Sequence, residues 1–458
     1  MNTKSSRCNK AKTTSKTNTK STKQLKYSNL SVELTGKLDK ETKKNNGIFF
    51  TPPGRVKKNL KFLKPYFENG DIKEVLEPSC GSGEYITGLK KIRKKLDSSK
   101  KFKITGIEYN KDIYDRIKDK LQSKSTIIIN DDYLHFESSI KYDLIIGNPP
   151  YYVMRKDEVD TKKYTLFTGR PNIFCLFIEK SFRHLNPNGI LSFILPKNFL
   201  NSSYYIELRR YIEKRFRILA MDECSEKYIE TGQDTVMMII QNSSHDLKTL
   251  ENTDSIMTDK IIKQNIKENN KYISKGIYGF DCIFLTSKNC DRIKELYKNS
   301  SSLESLDFRV RVGRIVWNQH KDILTDDDTQ TRLIYSSDIK DGILEKKSYK
   351  NPAKKNYIKK EGINEIMLLV NRGYGKGAYS FDYCLVDVDY DYLVENHLIC
   401  ITHGGPYKGM LTRKQLIHKF NSIIKSFEDP RTKEFVEYYF GNNAISTSEL
   451  NYALPIYV

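Results

Sequence analysis

The chain has 458 residues, with 78 Lys and Arg against 57 Asp and Glu, so its formal net charge is +21. A chain of this length is expected to form at least two hydrophobic cores. Its positive charge suits a polyanionic partner such as nucleic acid. No run of eighteen apolar residues occurs and no apolar segment follows the N-terminal charges, which excludes a membrane-spanning protein and predicts an intracellular one without a secretory signal. The eight cysteines form no CxxC pair and the seven histidines no HExxH motif, so neither a disulfide framework nor a metal site is expected.

The first 46 residues differ in composition from the rest. Residues 1–46 hold twelve Lys and Arg against three Asp and Glu, so about nine of the net positive charges lie there, among Ser, Thr and Asn. Such a segment cannot bury enough apolar surface to offset the entropy lost on ordering. The composition therefore predicts a disordered basic tail.

From Asp71 onward, short apolar runs alternate with longer amphipathic stretches. The apolar runs are rich in Ile, Val and Leu, as buried parallel strands are, and they cover residues 74–76, 102–107, 126–129, 143–146, 189–195, 218–221 and 235–240. Helix-like stretches such as 111–124 and 174–184 lie between them. Seven strands in this alternation predict an α/β domain over residues 47–243, with a Rossmann-like, seven-stranded, doubly wound sheet.

The first of these strands runs into a Gly-x-Gly turn. Residues 77–83 read EPSCGSG, and glycines at such a turn let a ligand approach the backbone at the carboxyl edge of the sheet. Ile86 stands where a dinucleotide fingerprint has its third glycine, which weakens a pyrophosphate interpretation. Glu108 ends the second strand and can accept hydrogen bonds from both ribose hydroxyls. Together these features predict a nucleoside ligand without a diphosphate.

The fourth strand ends in Asn148-Pro149-Pro150-Tyr151. Two prolines fix the backbone and free the Pro149 carbonyl from the sheet ladder. The Asn148 side-chain oxygen and that carbonyl can both accept hydrogen bonds from one planar amino group, and Tyr151 offers a face for stacking. Adenine's exocyclic amine is a poor nucleophile because its lone pair is delocalised, and two acceptors favour a pyramidal nitrogen. A proline-rich corner without a chemical role is the competing interpretation.

Residues 244–458 differ in composition: they are rich in Lys, Asn, Ser and Asp, with scattered strand-like runs and no regular alternation of strands and helices. We expect a second domain of α+β class there. Its basic and aromatic residues suit contacts with phosphates and base edges. The residues expected at that surface are Arg309, Arg311, Arg314, Trp317, Arg372, Tyr374 and Lys376.

In their order along the chain, these motifs resemble those of gamma-class, adenine-specific DNA methyltransferases of restriction-modification systems. Residues 47–53, GIFFTPP, resemble that family's Phe/Tyr-Thr-Pro segment, 77–83 its glycine loop and 148–151 its catalytic tetrapeptide. The resemblance implies a class I methyltransferase fold, S-adenosyl-L-methionine as cofactor, extrusion of the target base from double-stranded DNA, and target recognition by residues 244–458. It also implies a monomer and a cognate restriction endonuclease as a further partner.

The same resemblance implies roles for individual residues. Those assigned to the cofactor are Thr51, Glu77, Ser79, Gly81, Gly83, Glu108, Asp132 and Tyr133. Thr51 would contact its methionine end, residues 77–83 its amino-acid part and Glu108 its ribose. Asp132 would accept the amino group of the cofactor's adenine with Tyr133 beside the ring, and Asp131 is the competing assignment. Tyr228 would pack on the extruded base, or else is an ordinary core or surface aromatic.

Other functions share the same tetrapeptide chemistry. An RNA adenine methyltransferase and a protein glutamine methyltransferase both face the same problem of a weakly nucleophilic amino group. Glutamine enzymes, however, are compact and lack both the Thr-Pro segment and a large basic C-terminal domain. A nucleic-acid-binding protein with an inactive catalytic domain is a further alternative, against which the intact tetrapeptide argues. DNA is the favoured substrate and RNA the second.

Overall fold

The computed structural model describes residues 27–37, 41, 43, 47–224, 226, 228, 233–243, 256–274, 283–373, 381–404, 409–439 and 444–458, with the backbone alone at 256–261. The strands of its N-terminal part are β1 (Glu74–Glu77), β2 (Lys103–Glu108), β3 (Thr126–Asn130), β4 (Tyr142–Gly147), β5 (Leu185–Pro196), β6 (Phe216–Cys224) and β7 (Thr235–Asn242). The helices of this part are α1 (Asn29–Lys37), α2 (Pro53–Asn69), α3 (Glu84–Lys95), α4 (Lys111–Leu121), α5 (Ile173–His184), α6 (Ile206–Arg215) and α7 (Ile256–Asn269).

The seven strands form one mixed sheet in the order β3-β2-β1-β4-β5-β7-β6. Strands β1 to β5 are parallel, whereas β7 runs antiparallel to both of its neighbours. The predicted seven-stranded α/β sheet is confirmed, but the expectation that its strands are all parallel is wrong for β7. Only residues 225–234 separate β6 from β7, and so short a connection cannot provide the crossover that parallel neighbours need.

Alternating side chains of the central strands face two separate cores. On β4, Ile145 packs with α5 and α6, whereas Leu144 and Ile146 pack with α2, α3 and α4 on the other face. The same alternation divides the residues of β7 between the two cores. A sheet covered on both faces explains why the strands read as continuous apolar runs in the sequence.

The candidate site residues meet at the carboxyl edge of this sheet. Glu77 ends β1, Glu108 ends β2 and Asn148 follows β4. Strand β1 lies between β2 and β4, so the chain adds β2 and β3 on one side of β1 and then returns to add β4 on the other side. A crevice opens at such a reversal in doubly wound sheets, and ligands bind there.

The predicted disordered tail is wrong for residues 29–37, which form α1. Leu34 is buried in the core shared by α2, α3 and α4. Ser31 is also buried, and its hydroxyl shares one hydrogen between the Ser82 hydroxyl and a Glu84 carboxylate oxygen, each 2.8 Å away. One buried leucine and a few polar contacts hold this helix, which explains why composition alone gave no sign of it. Residues 1–26 lie outside the described residues.

The C-terminal part has strands β8 (Ile273–Ser274), β9 (Ile283–Phe284), β10 (Phe308–Val312), β11 (Leu324–Thr325), β12 (Thr331–Ile334), β13 (Ile339–Lys340), β14 (Ile343–Leu344), β15 (Tyr357–Ile358), β16 (Met367–Asn371), β17 (Tyr383–Val386), β18 (Tyr392–Val394) and β19 (Leu398–His403). Its helices are α8 (Cys290–Leu296), α9 (Arg413–Glu428) and α10 (Pro430–Tyr439). Two four-stranded sheets, β10-β19-β16-β17 and β11-β15-β12-β18, dominate this part. Leu368 and Val370 of β16 pack against α9 and α10, whereas Met367 and Leu369 face the second sheet.

The boundary between the two parts lies in a segment that packs on the first sheet. The Asn269 side chain at the end of α7 accepts a hydrogen bond from Ile218 N at 2.8 Å and donates to Phe216 O at 2.8 Å, so α7 is bonded to β6. Tyr272 and Phe284 belong to the same core as α5. The division after residue 243 stays a prediction, and this packing favours a boundary after Phe284. Among the described residues, no helix combines the length and the apolar character needed to cross a membrane.

Candidate active site

A cavity of about 400 Å³ opens at the carboxyl edge of the sheet. Most of the residues assigned to a ligand from the sequence line this one cavity. They are Thr51, Glu77, Ser79, Gly81, Glu108, Asp131, Asp132, Tyr133, Asn148 and Pro150. The sheet therefore brings together residues that are up to about a hundred positions apart in the sequence.

The glycine loop after β1 is held against the end of β2. Cys80 N donates to Ile107 O at 2.8 Å and Gly81 N donates to a Glu108 carboxylate oxygen at 2.8 Å. Gly81 and Gly83 have φ of +52° and +76°, where a residue with a Cβ is strained. At Gly83, which begins α3, an added Cβ would also lie 2.2 Å from Leu121 Cδ1. The loop thus needs both glycines, and its backbone forms one wall of the cavity.

Two buried carboxylates lie side by side beneath this loop. Burial raises the pKa of Glu108 to about 7, although the backbone N–H groups of Asn110 and Gly81 donate to it and partly oppose this rise. Burial also raises the pKa of Glu77 well above its usual range, and the negative charge of Glu108 adds to that effect. Glu77 Oε2 has no hydrogen-bond partner within the described part of the chain. Both acids are therefore only partly compensated: one Glu77 oxygen has no donor, and the two N–H groups do not offset the burial of Glu108.

S-adenosyl-L-methionine, the predicted cofactor, supplies what these residues lack. It carries an ammonium group, a positively charged sulfur and two ribose hydroxyls that can donate to a carboxylate. A cationic ligand would give the Glu77 oxygen a partner, and its positive charge would lower the raised pKa of both acids. The residues of the cavity therefore fit this cofactor.

The segment after β3 forms the next wall of the cavity. Asp132 is half-buried, and its carboxylate accepts from Leu134 N at 2.9 Å and lies 3.0 Å from His135 Nδ1. Asp131 is exposed. Tyr133 is almost fully buried, with its hydroxyl 3.0 Å from Ser181 Oγ, so its ring supports the wall from the core. Both aspartates line the cavity, and the choice between them stays open.

The side-chain amide of Asn148 is anchored at the cavity rim. Its Nδ2 donates to the backbone carbonyl of Phe49 at 3.2 Å. Because the nitrogen end is held there, Oδ1 is turned to the other side, where it accepts from the Tyr151 hydroxyl and lies 3.4 Å from the Tyr228 hydroxyl. The carbonyl of Asn148 also accepts from Ser79 Oγ at 3.2 Å. The amide thus offers its oxygen, and not its nitrogen, to hydrogen-bond donors on the side of Tyr151 and Tyr228.

The hydroxyl of Tyr151 can release this acceptor at little cost. It lies 2.7 Å from Ile194 O as well as next to Asn148 Oδ1, and one hydroxyl has one hydrogen to share between these two acceptors. An amino group arriving at Asn148 Oδ1 can displace the Tyr151 hydroxyl, which keeps its bond to Ile194. The ring of Tyr151 stands edge-on to Phe174. Its stacking role stays a prediction.

Tyr228 lies beside the catalytic tetrapeptide although its match to the family pattern is loose. The side chain is 6% exposed, and burial raises the pKa of its hydroxyl. Its ring stands edge-on to the Phe49 ring, with 6.5 Å between the two centroids. The guanidinium of Arg55 lies 4.3 Å from the centroid of the Tyr228 ring. Its burial excludes a surface aromatic and leaves two interpretations open, an ordinary core aromatic and the ring that packs on the extruded base.

Two of the predicted DNA-contacting residues, Arg309 and Arg311, lie on β10. Arg309 and Arg311 are two residues apart on β10, so they share one face of that strand. Arg311 is half-buried, 4.0 Å from the Glu365 carboxylate, whereas Arg314 is exposed. Arg372 is half-buried just after β16. Trp317 is half-buried, and Tyr374 and Lys376 lie outside the described residues.

Several residues of the site could not have been found from their sequence. Phe49 acts through its backbone carbonyl, which carries no side-chain signal, and Arg55 resembles any charged residue on a helix. The cavity also has an apolar wall from the segment after the tetrapeptide and from α5, with Tyr152, Met154, Val159, Ile173, Leu176 and Phe177. In the sequence these six positions read as ordinary apolar residues of a loop or a helix, and core residues read in the same way. Within the described ranges, no group of three or more His, Cys, Asp and Glu side chains could hold a metal ion.

Comparison with known proteins gives similarities over both parts of the chain. The family described as Eco57I restriction-modification methylase matches residues 19–229. The Type II methyltransferase M.CvrRI of Paramecium bursaria Chlorella virus XZ-6E is 27% identical over 426 residues, which are 92% of this chain and 96% of its own length. The modification methylase CviBIII of Paramecium bursaria Chlorella virus NC1A is 33% identical over 187 residues, 41% of this chain and 47% of its own length.

Among solved structures, the Type IIL restriction-modification enzyme MmeI in complex with DNA superposes with a TM-score of 0.48 at 12% identity. The match covers 83% of this chain and 66% of that one.

Proposed function

We propose that this chain, which carries an Eco57I-type restriction-modification methylase domain, transfers a methyl group from S-adenosyl-L-methionine to the exocyclic amino group of adenine in a short duplex DNA sequence. The observation that carries the proposal is the anchored amide of Asn148 at the rim of an acidic, nucleoside-sized cavity. The full-length similarity to a Type II methyltransferase supports DNA as the substrate.

The tetrapeptide acts on the amino group of the target base. Asn148 Oδ1 and the Pro149 carbonyl accept its two hydrogens and thereby favour the pyramidal nitrogen whose lone pair can attack. Phe49 O holds the amide so that no reorientation is needed at the moment of transfer. No side chain has to act as a strong base, because the acceptors work by position and polarity.

The acidic side of the cavity holds the methyl donor. When bound, S-adenosyl-L-methionine supplies an electrophilic methyl group on a positively charged sulfur. Glu108 accepts the ribose hydroxyls, and Glu77 lies where it can balance the positive charge of the ligand. The backbone of the Gly81 turn permits close approach, and the apolar wall with Met154 and Ile173 excludes water from the ring.

The target base must leave the DNA helix to reach Asn148. A stacked adenine presents its amino group inside the duplex, out of reach of a cavity at a sheet edge. Tyr228 offers a ring beside Asn148 Oδ1 on which an extruded base can pack. The C-terminal part supplies the face of β10 with Arg309 and Arg311 for contacts with DNA. We also expect a monomer and a cognate restriction endonuclease, on the family resemblance alone.

The experiment is methyl transfer with radiolabelled S-adenosyl-L-methionine to duplex DNA, total RNA and denatured protein in parallel. Digestion of the DNA to nucleosides and mass spectrometry identify the methylated base. The proposal expects label in DNA alone and N6-methyladenine as the product. Label in RNA or protein alone would contradict the substrate, and methylcytosine would contradict the base.

A further inference from the structure

A buried arginine contacts the ring of Tyr228, whose hydroxyl lies 3.4 Å from Asn148 Oδ1. Arg55, in the first turn of α2, is 2% exposed, and its guanidinium carbon lies 4.3 Å from the centroid of the Tyr228 ring. At this distance a cation is attracted to the face of the ring, and the attraction is larger in a buried place than in water. The motifs found in the sequence do not include this residue.

The same guanidinium connects two separate segments. Its Nη1 donates to Thr235 Oγ1 at 2.6 Å, at the first residue of β7, and its Nη2 donates to the backbone carbonyl of Glu226. The Glu226 carboxylate lies 3.9 Å from Nε. Arg55 therefore holds the backbone next to Tyr228 and the ring of Tyr228 at once, and it ties both to the end of β7.

These contacts determine which side of Tyr228 a base can use. The guanidinium of Arg55 covers one face of the Tyr228 ring. The Phe49 ring stands edge-on to the Tyr228 ring, with 6.5 Å between the two centroids. The hydroxyl end lies 3.4 Å from Asn148 Oδ1. The guanidinium leaves the opposite face of the ring for a planar base, and because the side chain is only 6% exposed, the base would have to displace what now covers that face.

We propose that Arg55 is a positioning residue for methyl transfer: by fixing the ring of Tyr228, it sets the distance between the extruded base and Asn148 Oδ1. This inference rests on the proposed function and deepens it. A lysine cannot replace the arginine fully, because it has neither the planar fork for two acceptors nor the flat surface that lies over a ring. Arg55 contacts no reacting atom and acts through Tyr228.

The test compares Arg55→Met and Arg55→Lys in the full chain. We expect Arg55→Met to lower kcat about 30-fold or more while the Kd of S-adenosyl-L-methionine changes less than threefold, and Arg55→Lys to recover part of kcat. Duplexes with 2-aminopurine at the target position should fluoresce more strongly with Arg55→Met than with the wild type, because a base that is extruded but no longer stacked on Tyr228 is less quenched.

Arg209→Met is the matched control. Arg209 is also fully buried, and it donates to the carbonyls of Phe199 and Ser202 instead of contacting Tyr228. We expect this variant to lower the melting temperature with kcat per folded enzyme and 2-aminopurine fluorescence unchanged. If Arg55→Met does not fold, Thr235→Val removes one of the two acceptors of Arg55 and should lower kcat about fivefold at unchanged cofactor Kd.

The outcomes separate this inference from the proposed function. A wild-type enzyme that methylates no DNA contradicts the proposed function. If the wild type is active and Arg55→Met or Thr235→Val has the same kcat and the same fluorescence, the proposed role of Arg55 is overturned. The proposed function is then unaffected. Equal losses of kcat in Arg55→Met and Arg209→Met, in proportion to their melting temperatures, would also overturn it, since Arg55 would then be merely structural.

Discussion

At the scale of single residues, the orientation of one amide decides what the site can accept. Asn148 Nδ2 is held by Phe49 O, so Oδ1 is the atom offered to a ligand. Two tyrosine hydroxyls reach that atom in the absence of a ligand, and an arriving amino group replaces them. This orientation supports the proposed role of Asn148 as an acceptor for an amino group, which stays a prediction.

Replacement of Asn148 by alanine tests this arrangement. We expect Asn148→Ala to lower kcat about 100- to 1,000-fold, the usual loss when one preorganised polar group is removed from a site of this kind. The Kd of S-adenosyl-L-methionine should change less than threefold, measured by calorimetry. Asn186→Ala is the control, because Asn186 is half-buried and bonded to Asp143 near the other end of β4. An equal loss of cofactor affinity and turnover in Asn148→Ala would indicate a structural role instead.

The raised pKa of Glu108 predicts a pH dependence of cofactor binding. Burial raises this pKa to about 7, so below pH 7 the carboxyl is mostly protonated and above it mostly ionised. The ionised form accepts hydrogen bonds and attracts a cation, so the affinity for S-adenosyl-L-methionine should rise between pH 6 and 8 and then level off. Glu108→Gln should weaken binding and remove this rise. A wild-type Kd independent of pH would contradict the role of Glu108.

At the scale of elements, α1 shows what composition cannot predict. Its composition is mostly polar, and a helix there is stabilised by Leu34 in the core and by Ser31 at the glycine loop. The seven strands, by contrast, could be predicted because a sheet covered on both faces requires continuous apolar runs. The antiparallel direction of β7 could not, since an apolar run reads the same in both directions.

The contact between α1 and the glycine loop predicts an effect on the cofactor. Ser31→Ala removes the hydroxyl that donates to Ser82 and Glu84, and a hydrogen bond of this kind contributes about 1 kcal/mol. We expect the Kd of S-adenosyl-L-methionine to rise about fivefold. Thr35→Val is the control on the same helix, because the Thr35 hydroxyl bonds to the Ser31 carbonyl within α1. An unchanged Kd in Ser31→Ala would mean that α1 packs without supporting the loop.

At the scale of the whole molecule, the order of motifs was the most informative signal. It predicts a restriction-modification methylase, and the family described as Eco57I restriction-modification methylase matches residues 19–229. The meeting of Glu77, Glu108 and Asn148 could be predicted because parallel strands end at one edge. The place of Arg55 could not, since its partners at Thr235 and Tyr228 are joined to it only by the folded chain. The DNA-contacting residues stay a prediction for the same reason.

The basic face of β10 predicts how the second part contributes to binding. We expect Arg311→Gln to weaken DNA binding across sequences and to reduce the slope of log K against log salt by about one, as loss of one phosphate contact does. Cofactor affinity should not change. Arg292→Gln is the control, because Arg292 is paired with Glu434 in the same part of the chain. An unchanged salt slope in Arg311→Gln would remove this residue from the interface.

The central claim is that the chain methylates adenine at a defined DNA sequence. Its most direct test is to methylate a plasmid of mixed sequence with the purified full chain and S-adenosyl-L-methionine, and to map modified bases by single-molecule sequencing with Asn148→Ala in parallel. The account predicts N6-methyladenine within one short recurrent motif for the wild type and an unmodified plasmid for the variant. A plasmid without methyladenine under conditions where S-adenosyl-L-methionine binds, or modification of another base, would contradict it.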